Sequence, residues 1–399
     1  MAPATNVTRG WMPAVSITIR SLILFIAVLA VPLAAAQELG LSESETTSWI
    51  LVVYGLTGIF SLGLAIIYHQ PLLLTGNLFA LIFVASLGSE YSYAEIIGAF
   101  VVTGAGVLII SLLGLTRLLA RWLPAPIVFG LLAGAILPFV VRIFTFLGEE
   151  PILIGGTFLA YLLGYRFLNN RVPAILPALV VGLTLAAVTG QLGQPTGGFS
   201  LPSLQITMPV FSLPAIITIS SVLLVLIIVQ SNLPSIVFAR NQGFKPPDRV
   251  VDMVSGLGTI FGSLLGPLAV SLSLPATSLV AGPEAGENPI RYRSVILVAA
   301  GAILIGLLAS LAVKVPEIIP ESLLVTLAGL AVVGVLINAL KQVTKGPLIL
   351  GPVFAFAVAS SKISLLGFGP FFWSLVIGMT ISLLLERDKI MEYQEQASG

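Results

Sequence analysis

Long apolar stretches, separated by short connections that carry charges, proline or glycine, constrain this chain more than any other feature. Of its 399 residues, 57% are hydrophobic and 9% are charged. A water-soluble fold cannot bury so large an apolar fraction, whereas a helix of about 20 apolar residues crosses the hydrocarbon core of a bilayer. The sequence therefore predicts an all-α polytopic membrane protein with the lipid bilayer as its surroundings.

The ionisable residues are too few and too evenly balanced for several classes of function. The chain has 18 Lys and Arg residues and 17 Asp and Glu residues, so its net charge is +1. This balance excludes a basic surface for nucleic acid. The chain has no cysteine and one histidine, His69, which excludes disulfides, thiolates and metal sites built from cysteines or several histidines. We therefore expect no cofactor and no metal.

Fourteen apolar spans can be counted. With the N-terminus inside, fourteen of the 18 basic residues fall on the cytoplasmic side, three (Arg142, Lys314 and Lys362) fall outside, and Arg20 lies within the first span. This asymmetry predicts a multi-pass protein of the inner or plasma membrane with both termini in the cytoplasm. The predicted spans are 15–36, 46–67, 71–88, 92–115, 124–141, 151–166, 172–190, 211–238, 248–265, 268–283, 292–313, 321–340, 347–362 and 368–386.

The two halves of the chain resemble each other. At an offset of 196 residues, Pro71 falls on Pro267, and PILIGGTF at 151–158 falls on PLILGPVF at 347–354. Each half contains seven predicted spans, an odd number, so the second half enters the membrane from the opposite face. Such inverted repeats are typical of secondary transporters, whose substrate sites lie near the midplane between the repeats.

The third and tenth spans differ from ordinary spanning helices. Each opens with a proline and an extended run and then reaches residues that start helices, which predicts a short strand followed by a half helix. Non-helical backbone at this depth is tolerated where it lines a cavity. Two half-helix N-termini facing each other would offer free N–H groups to an anion without Lys or Arg. The helix-start residues are Thr75, Gly76 and Asn77 in the third span and Ser273 and Pro275 in the tenth.

A third polar element lies deep in the eighth span, where Gln230, Ser231 and Asn232 follow one another. The aligned positions of the first repeat are apolar, so we expect the second repeat to supply polar specificity. An alternative is that Gln230 and Asn232 only join neighbouring helices by hydrogen bonds. Thr75, Ser271 and Ser273 could likewise be helix caps that bind no ligand.

Four segments carry a family resemblance: AAQELGLS at 35–42, QSNLPSIVFARNQGFKPP at 230–247, GPEAGENPIRYRS at 282–294 and LAGLAVVG at 327–334. With them the chain resembles benzoate:proton symporters of the BenE type, within the superfamily that shares the UraA-like nucleobase-transporter fold. The sequence departs from that pattern in the tenth span, where Leu268 and Ser271 replace His and Asn. It also has no carboxylate in the eighth span, where related nucleobase carriers have one.

The resemblance implies a core of spans 1–4 and 8–11 that moves against a gate of spans 5–7 and 12–14, with the substrate between spans 3 and 10. The corresponding regions are 11–116 (core) and 117–200 (gate) in the first repeat, and 208–315 (core) and 316–390 (gate) in the second. Members of the superfamily often dimerise, so a homodimer is an expectation.

The predicted site binds the carboxylate of a small organic anion between the two half-helix tips and rests its apolar body on Phe25 or Phe79. The co-transported proton would be carried by His69, by Glu284 or by the substrate itself. His69 could instead be a solvated or capping residue, and Glu284 could be a structural partner of Arg291 or Arg293. The predicted substrate-binding residues are Thr75, Gly76, Asn77, Phe79, Phe25, Gln230, Ser231, Asn232, Ser271, Ser273, Pro275 and Ala276.

Three functions remain open at this point. Proton-coupled symport of benzoate or a similar carboxylate is the first. A carrier of inorganic anions or nucleobases with the same fold is the second. An intramembrane enzyme is a remote third, because no Ser/His pair, carboxylate pair or set of metal ligands falls within one site.

Overall fold

The computed structural model describes residues 5–88, 90–116, 118, 124–168, 172–195, 198, 200–361 and 363–396. Arg117, Arg121, Arg171 and Lys362, four of the charges counted above, lie outside this part of the chain. The first half contains α1 (Thr5–Val28, continued after Leu29 by Ala30–Glu38), α2 (Glu43–Tyr68), β1 (Leu74–Gly76), α3 (Leu78–Leu87), α4 (Tyr93–Leu113), α5 (Ala125–Glu149), α6 (Pro151–Phe167) and α7 (Ile175–Val188).

The second half repeats this sequence of elements. It contains α8 (Leu213–Asn241), α9 (Asp248–Ser263), β2 (Val270–Leu272), α10 (Leu274–Ala281), α11 (Tyr292–Leu307), α12 (Glu321–Val343), α13 (Leu350–Ser360), α14 (Pro370–Leu385) and α15 (Arg387–Gln396). Short helical turns at Pro283–Ala285 and Asn288–Ile290 precede α11, and Ala309–Ala312 and Val315–Ile318 follow it.

A helix lies in each of the fourteen predicted spans, but not all of these helices are long. Among the described residues, seven helices have the length and apolar composition to cross a membrane, and the bent pair α14 and α15, which meet at 105°, is an eighth candidate. The helices α3, α6, α7 and α13 are apolar but have only 10–17 residues. The structure thus supports a polytopic membrane protein, while the count of fourteen spans and the inverted repeat stay predictions.

Close helix packing relies on glycine at several crossings. A Cβ added to Gly104 on α4 would lie 2.7 Å from the carbonyl oxygen of Gly256 on α9, and one added to Gly130 on α5 would lie 2.2 Å from that of Pro352 on α13. Small residues of this kind let helix backbones approach closely in membranes. These contacts join α4 to α9 and α5 to α13 closely, and the division into core and gate stays a prediction.

Two long helices have wider, π-helical turns in their interiors. In α2 the stretch Leu51–Leu56 is π-helical, and in α8 so are Ile216–Ser220 and Leu226–Asn232. A π turn releases backbone carbonyls from their usual α-helical partners and often occurs at functional sites. The carbonyl of Leu226, the first residue of the second π-helical stretch in α8, accepts a hydrogen bond from the side chain of Asn77 at 3.3 Å.

Candidate functional site

The strands β1 and β2 pair with each other and bring the two interrupted segments together. They are antiparallel, with Thr75 opposite Ser271 at the centre of the register. Each strand is also held by the helix that precedes it: the hydroxyl of Ser61 bonds the backbone N and O of Leu74, each at 2.9 Å, and that of Thr259 accepts from the backbone N of Val270 at 2.9 Å. The prediction of a short strand followed by a half helix is confirmed in both segments.

The helix starts differ in detail from the prediction. The N-cap of α3 is Asn77, whose Oδ1 accepts from the backbone N of Ala80 at 3.0 Å. The expectation that Thr75 caps this helix is wrong, because the extended backbone continues past Thr75 as part of β1. In α10, Ser273 occupies the N-cap position and Pro275 lies in the first turn, but the Ser273 side chain makes no capping hydrogen bond.

A cavity of about 280 Å³ opens at the two tips. This volume lies near the lower end of the range for small-molecule sites, about 300–1,000 Å³, and suits a small ligand. The helices α1, α2, α11 and α12 complete the walls. Six predicted substrate-binding residues line the cavity: Phe25, Thr75, Gly76, Ser273, Pro275 and Ala276.

The cavity combines an aromatic wall with a few polar groups. The rings of Phe25 and Tyr54 lie 5.8 Å apart, and the Tyr54 hydroxyl donates to the backbone oxygen of Phe25 at 3.2 Å. Thr57 adds a second hydroxyl from α2. None of the residues that line the cavity is charged, so the donors that face it are the hydroxyls of Thr75 and Ser273 and the backbone N–H groups at the two helix starts.

Sequence reasoning missed Tyr54 and Thr57. The two residues are three positions apart and therefore share one face of α2. A tyrosine and a threonine on one face of an otherwise apolar span are a usable signal for a polar lining, although a tyrosine in a membrane helix is equally typical of the lipid interface.

Five other predicted residues are buried beside the two strands and are here called the polar belt: Asn77, Gln230, Ser231 and Ser271, whose side chains are joined by hydrogen bonds, and Asn232, the next residue of α8. The amide nitrogen of Asn77 donates to the hydroxyls of Ser231 at 2.9 Å and Ser271 at 3.0 Å. The Ser231 hydroxyl donates to Oε1 of Gln230 at 2.5 Å. None of the five lines the cavity. Their contacts are those expected under the alternative given above, in which these side chains join neighbouring helices by hydrogen bonds.

The polar belt continues to a carboxylate that sequence reasoning did not select. Oδ1 of Asn232 accepts from the backbone N of Leu272 at 2.8 Å, and its amide nitrogen donates to Asp252 Oδ1 at 2.9 Å and to the Ser255 hydroxyl at 3.1 Å. The Thr116 hydroxyl donates to Asp252 Oδ2 at 2.8 Å. Asp252 is 2% exposed. The eighth span itself carries no carboxylate, but α9 supplies one to it.

The predicted residues Phe79 and His69 lie outside the cavity. Phe79 is half-buried in α3, where Leu78 and Leu81 face the cavity instead. His69 ends α2 in the left-handed conformation, with a φ of 51°, and its exposed ring meets Tyr292 edge to face at 4.9 Å. This position matches the alternative in which His69 terminates a helix.

Glu284 lies at the surface and pairs with Arg20 at 2.5 Å, where the two side chains are 68% and 53% exposed. The expectation that its partner would be Arg291 or Arg293 is wrong. Arg291 turns inward and donates to the backbone oxygens of Ala281 at 2.7 Å and Gly286 at 2.8 Å. Among the described residues, no group of three or more His, Asp or Glu side chains could hold a metal ion.

Comparisons with known proteins identify the family of the chain and its fold. A family model described as benzoate membrane transport protein matches residues 9–384. The benzoate membrane transport protein of Acinetobacter baylyi is 23% identical over 360 residues, which cover 89% of this chain and 90% of that protein. The inner membrane protein YdcO of Escherichia coli is 23% identical over 361 residues, which cover 89% and 92%.

The structures of a bicarbonate transporter and of an anion transporter have the same fold. The transmembrane domain of the cyanobacterial bicarbonate transporter BicA aligns with a TM-score of 0.60 at 16% identity, over 94% of this chain and 97% of that chain. The murine anion transporter SLC26A9 aligns with a TM-score of 0.59 at 14% identity, over 96% and 72%. At these identities the likeness shows the fold alone.

Proposed function

Because this chain belongs to the family of benzoate membrane transport proteins, we propose that it is a secondary active transporter that carries benzoate or a similar organic carboxylate together with a proton. The observation that carries the proposal is the pairing of β1 with β2, which brings two half-helix N-termini to one uncharged, partly aromatic cavity. Secondary transporters bind anionic groups at such half-helix ends near the midplane.

The proposed pose places the substrate carboxylate at the two tips and the ring deeper among apolar walls. Gly76 at the start of α3, together with Ser273 and Ala276 at the start of α10, lies beside the cavity. The first N–H groups of a helix lack intrahelical partners and attract anions, which is worth up to about 2 kcal/mol at each end in partly buried geometries. Phe25 and Tyr54 are the proposed aromatic neighbours of the ring.

Coupling to a proton follows from electrostatics. Moving a monovalent anion into a negatively charged interior costs about 2.3 kcal/mol per 100 mV, which is roughly a fifty-fold loss of accumulation. One proton carried with each anion makes the step electroneutral and removes this cost. Of the two groups predicted to carry that proton, His69 is exposed and Glu284 is in a surface ion pair, and both stay predictions.

The transport cycle that we propose is a movement of the core against the gate. The cavity is lined by α1, α2, α10 and α11 on one side and by α12 on the other, so a displacement of α12 relative to the tips would open it. Fourteen spans in inverted repeats, cytoplasmic termini, an inner-membrane location and a homodimer belong to the same proposal.

An inorganic anion is the second candidate substrate, because the solved structures that share this fold are named as bicarbonate and anion transporters. The aromatic wall favours benzoate, since an inorganic ion gains nothing from Phe25. Competition of labelled benzoate with bicarbonate, sulfate and uracil in a binding assay separates these substrates.

The direct test is uptake of labelled benzoate by proteoliposomes under an imposed pH gradient, acid outside. Benzoic acid crosses bilayers by itself in its neutral form, so initial rates are compared with those of protein-free vesicles of the same lipid. We expect a saturable, protein-dependent rate that rises with the gradient. A rate equal to that of protein-free vesicles would reject the proposal, and a saturable rate without gradient dependence would reject its proton coupling.

Phe25→Ala is expected to weaken benzoate binding by about 2- to 12-fold, because an aromatic pair contributes about 0.5–1.5 kcal/mol beyond simple burial. Acetate, which has the carboxylate but no ring, should bind the variant as it binds the unmodified protein. Calorimetric titration of both ligands measures the difference. Phe261→Ala, at a 61% exposed phenylalanine on α9, is the matched control. Equal weakening of acetate and benzoate would show that the ring does not rest on Phe25.

A further inference from the structure

The polar belt ends at a buried carboxylate to which the proposed function has so far given no role. Asp252 lies in the second turn of α9, is 2% exposed, and accepts hydrogen bonds from Asn232 and Thr116. No ion pair to Asp252 is formed within the described residues. An ionisable side chain at such a position in a membrane protein is costly and is generally retained for function.

The charged groups around Asp252 do not neutralise it. Asp248 and Arg249 precede it on α9, and Asp248 pairs with Arg240 at the end of α8. On α4 and α2, which pack against α9, the acidic residues lie at the helix ends far from Asp252: Glu95 on α4, and Glu43 and Glu45 on α2. The strand β2 carries no charge. Two neutral donors therefore hold the carboxylate, and no cation within the described residues, which do not include Arg117, pairs with it. A bound proton removes the cost of the buried charge.

A second buried carboxylate provides a useful contrast. Glu386 accepts from the backbone N–H groups of Ile349, Leu350 and Gly351, at 2.8–3.0 Å, and from the hydroxyl of Ser382 at 3.1 Å. Three backbone donors at the start of α13 and one hydroxyl from α14 suit a permanently ionised side chain with a structural role. Asp252 has half as many donors, and one of them belongs to a residue that also holds β2.

Asn232 connects Asp252 to the cavity through a single side chain. Its amide nitrogen donates to the carboxylate, while its oxygen accepts from the backbone N–H of Leu272, the last residue of β2. The next residue, Ser273, lines the cavity. A carboxylate accepts a hydrogen bond more strongly when it is ionised than when it is protonated. A change of charge on Asp252 therefore changes the position of the Asn232 side chain, and with it the hydrogen bond from Asn232 to β2, the strand that leads into α10.

We infer that Asp252 binds the co-transported proton and that Asn232 passes its protonation state to β2 and the substrate. The inference rests on the proposed function and adds the coupling group to it. In the loaded carrier the proton resides on an oxygen of Asp252 and the anion lies at the two tips, so the pair carries no net charge. Release of the proton restores the charged acceptor of Asn232 and returns β2 to its unloaded arrangement.

Counting protons during binding tests the inference without interference from the passive permeation of benzoic acid. Benzoate is titrated into the full-length protein calorimetrically at several pH values, in buffers that differ in ionisation enthalpy. We expect the unmodified protein to take up as much as one proton per benzoate, and Asp252→Asn to bind benzoate with no proton uptake. Asp388→Asn, at an exposed aspartate on α15, is the matched control and should behave as the unmodified protein.

The possible results separate the inference from the function on which it depends. No benzoate binding by the unmodified protein would reject the proposed function. Binding with no proton uptake by the unmodified protein at any pH, or with the same uptake in Asp252→Asn, would leave the transporter intact and overturn the role of Asp252.

A second measurement decides the question if Asp252→Asn fails to fold or to bind. The chain contains three aspartates, so Asp248→Asn combined with Asp388→Asn leaves Asp252 as the sole one. This protein is prepared with ¹³C-labelled aspartate, and its infrared spectrum is recorded with and without benzoate. We expect benzoate to produce a protonated-carboxyl band that moves with the isotope. Benzoate binding with proton uptake but without such a band would overturn the inference.

Discussion

Gly334→Phe is expected to abolish benzoate uptake while leaving the protein folded. Gly334 lines the cavity from α12, and a Cβ at this position meets no atom within 4 Å, so the new ring enters the cavity rather than a packed interior. A substrate ring excluded from its pocket loses the burial of an aromatic side chain, about 1.5–3 kcal/mol, or about 10- to 150-fold in affinity. Initial uptake rates in proteoliposomes and calorimetric titration measure the loss.

Gly63→Phe is the matched control for this variant. Gly63 is also a helical glycine with no atom within 4 Å of an added Cβ, but it lies on α2 outside the cavity. We expect near-normal uptake and a similar elution profile in size-exclusion chromatography for both proteins. Normal transport by Gly334→Phe would show that the substrate path does not pass through this cavity.

Asn77→Ala is expected to give the largest loss of stability among the variants considered. Asn77 caps α3 and donates to Leu226, Ser231 and Ser271. Loss of a helix cap costs about 0.5–2 kcal/mol, and buried partners left without hydrogen bonds cost about 1–3 kcal/mol. We expect a total of about 2–4 kcal/mol, together with weakened benzoate binding because the α3 tip is released. Denaturant unfolding in detergent and calorimetric titration provide the two readouts.

Ser92→Ala separates the cost of losing a helix cap from the cost of losing the hydrogen bonds of the polar belt. Ser92 also caps a helix, α4, where its hydroxyl accepts from the backbone N of Glu95, but it lies at an exposed position away from the cavity. Its loss should cost about 1 kcal/mol and leave benzoate binding unchanged. Equal stability losses in the two variants would mean that the hydrogen bonds from Asn77 to α8 and β2 contribute little.

The interrupted segments could be predicted from the sequence because their signals are local. A proline and an extended run, followed by cap-forming residues in an apolar span, indicated a strand and a half helix near Thr75 and near Ser273. The cap of α3 was placed two residues early because sequence alone does not show that Thr75 continues the strand. That extension depends on pairing with Ser271, which lies in the other half of the chain.

The burial of Asp252 could not be predicted, because its surroundings come from three separate parts of the chain. In the sequence it belongs to DRVVDMVSG, which resembles the charged start of a helix at the membrane surface. Burial results from the approach of Thr116 and Asn232 in the folded protein. The sequence singled out Gln230, Ser231 and Asn232, but Ser231 bonds to Asn77 at the start of α3, Asn232 bonds to α9, and none of the three lines the cavity.

The pairing of β1 with β2 has a consequence for biogenesis. Residues 74–76 leave the ribosome well before residues 270–272, so for much of synthesis the first strand has no partner for its backbone N–H and C=O groups. Unsatisfied backbone groups in hydrocarbon cost several kcal/mol each. The nascent first half must therefore remain sheltered by the insertion machinery, or near aqueous surroundings, until the second half arrives. A ligand pocket assembled from both halves in this way cannot exist in a prematurely terminated chain.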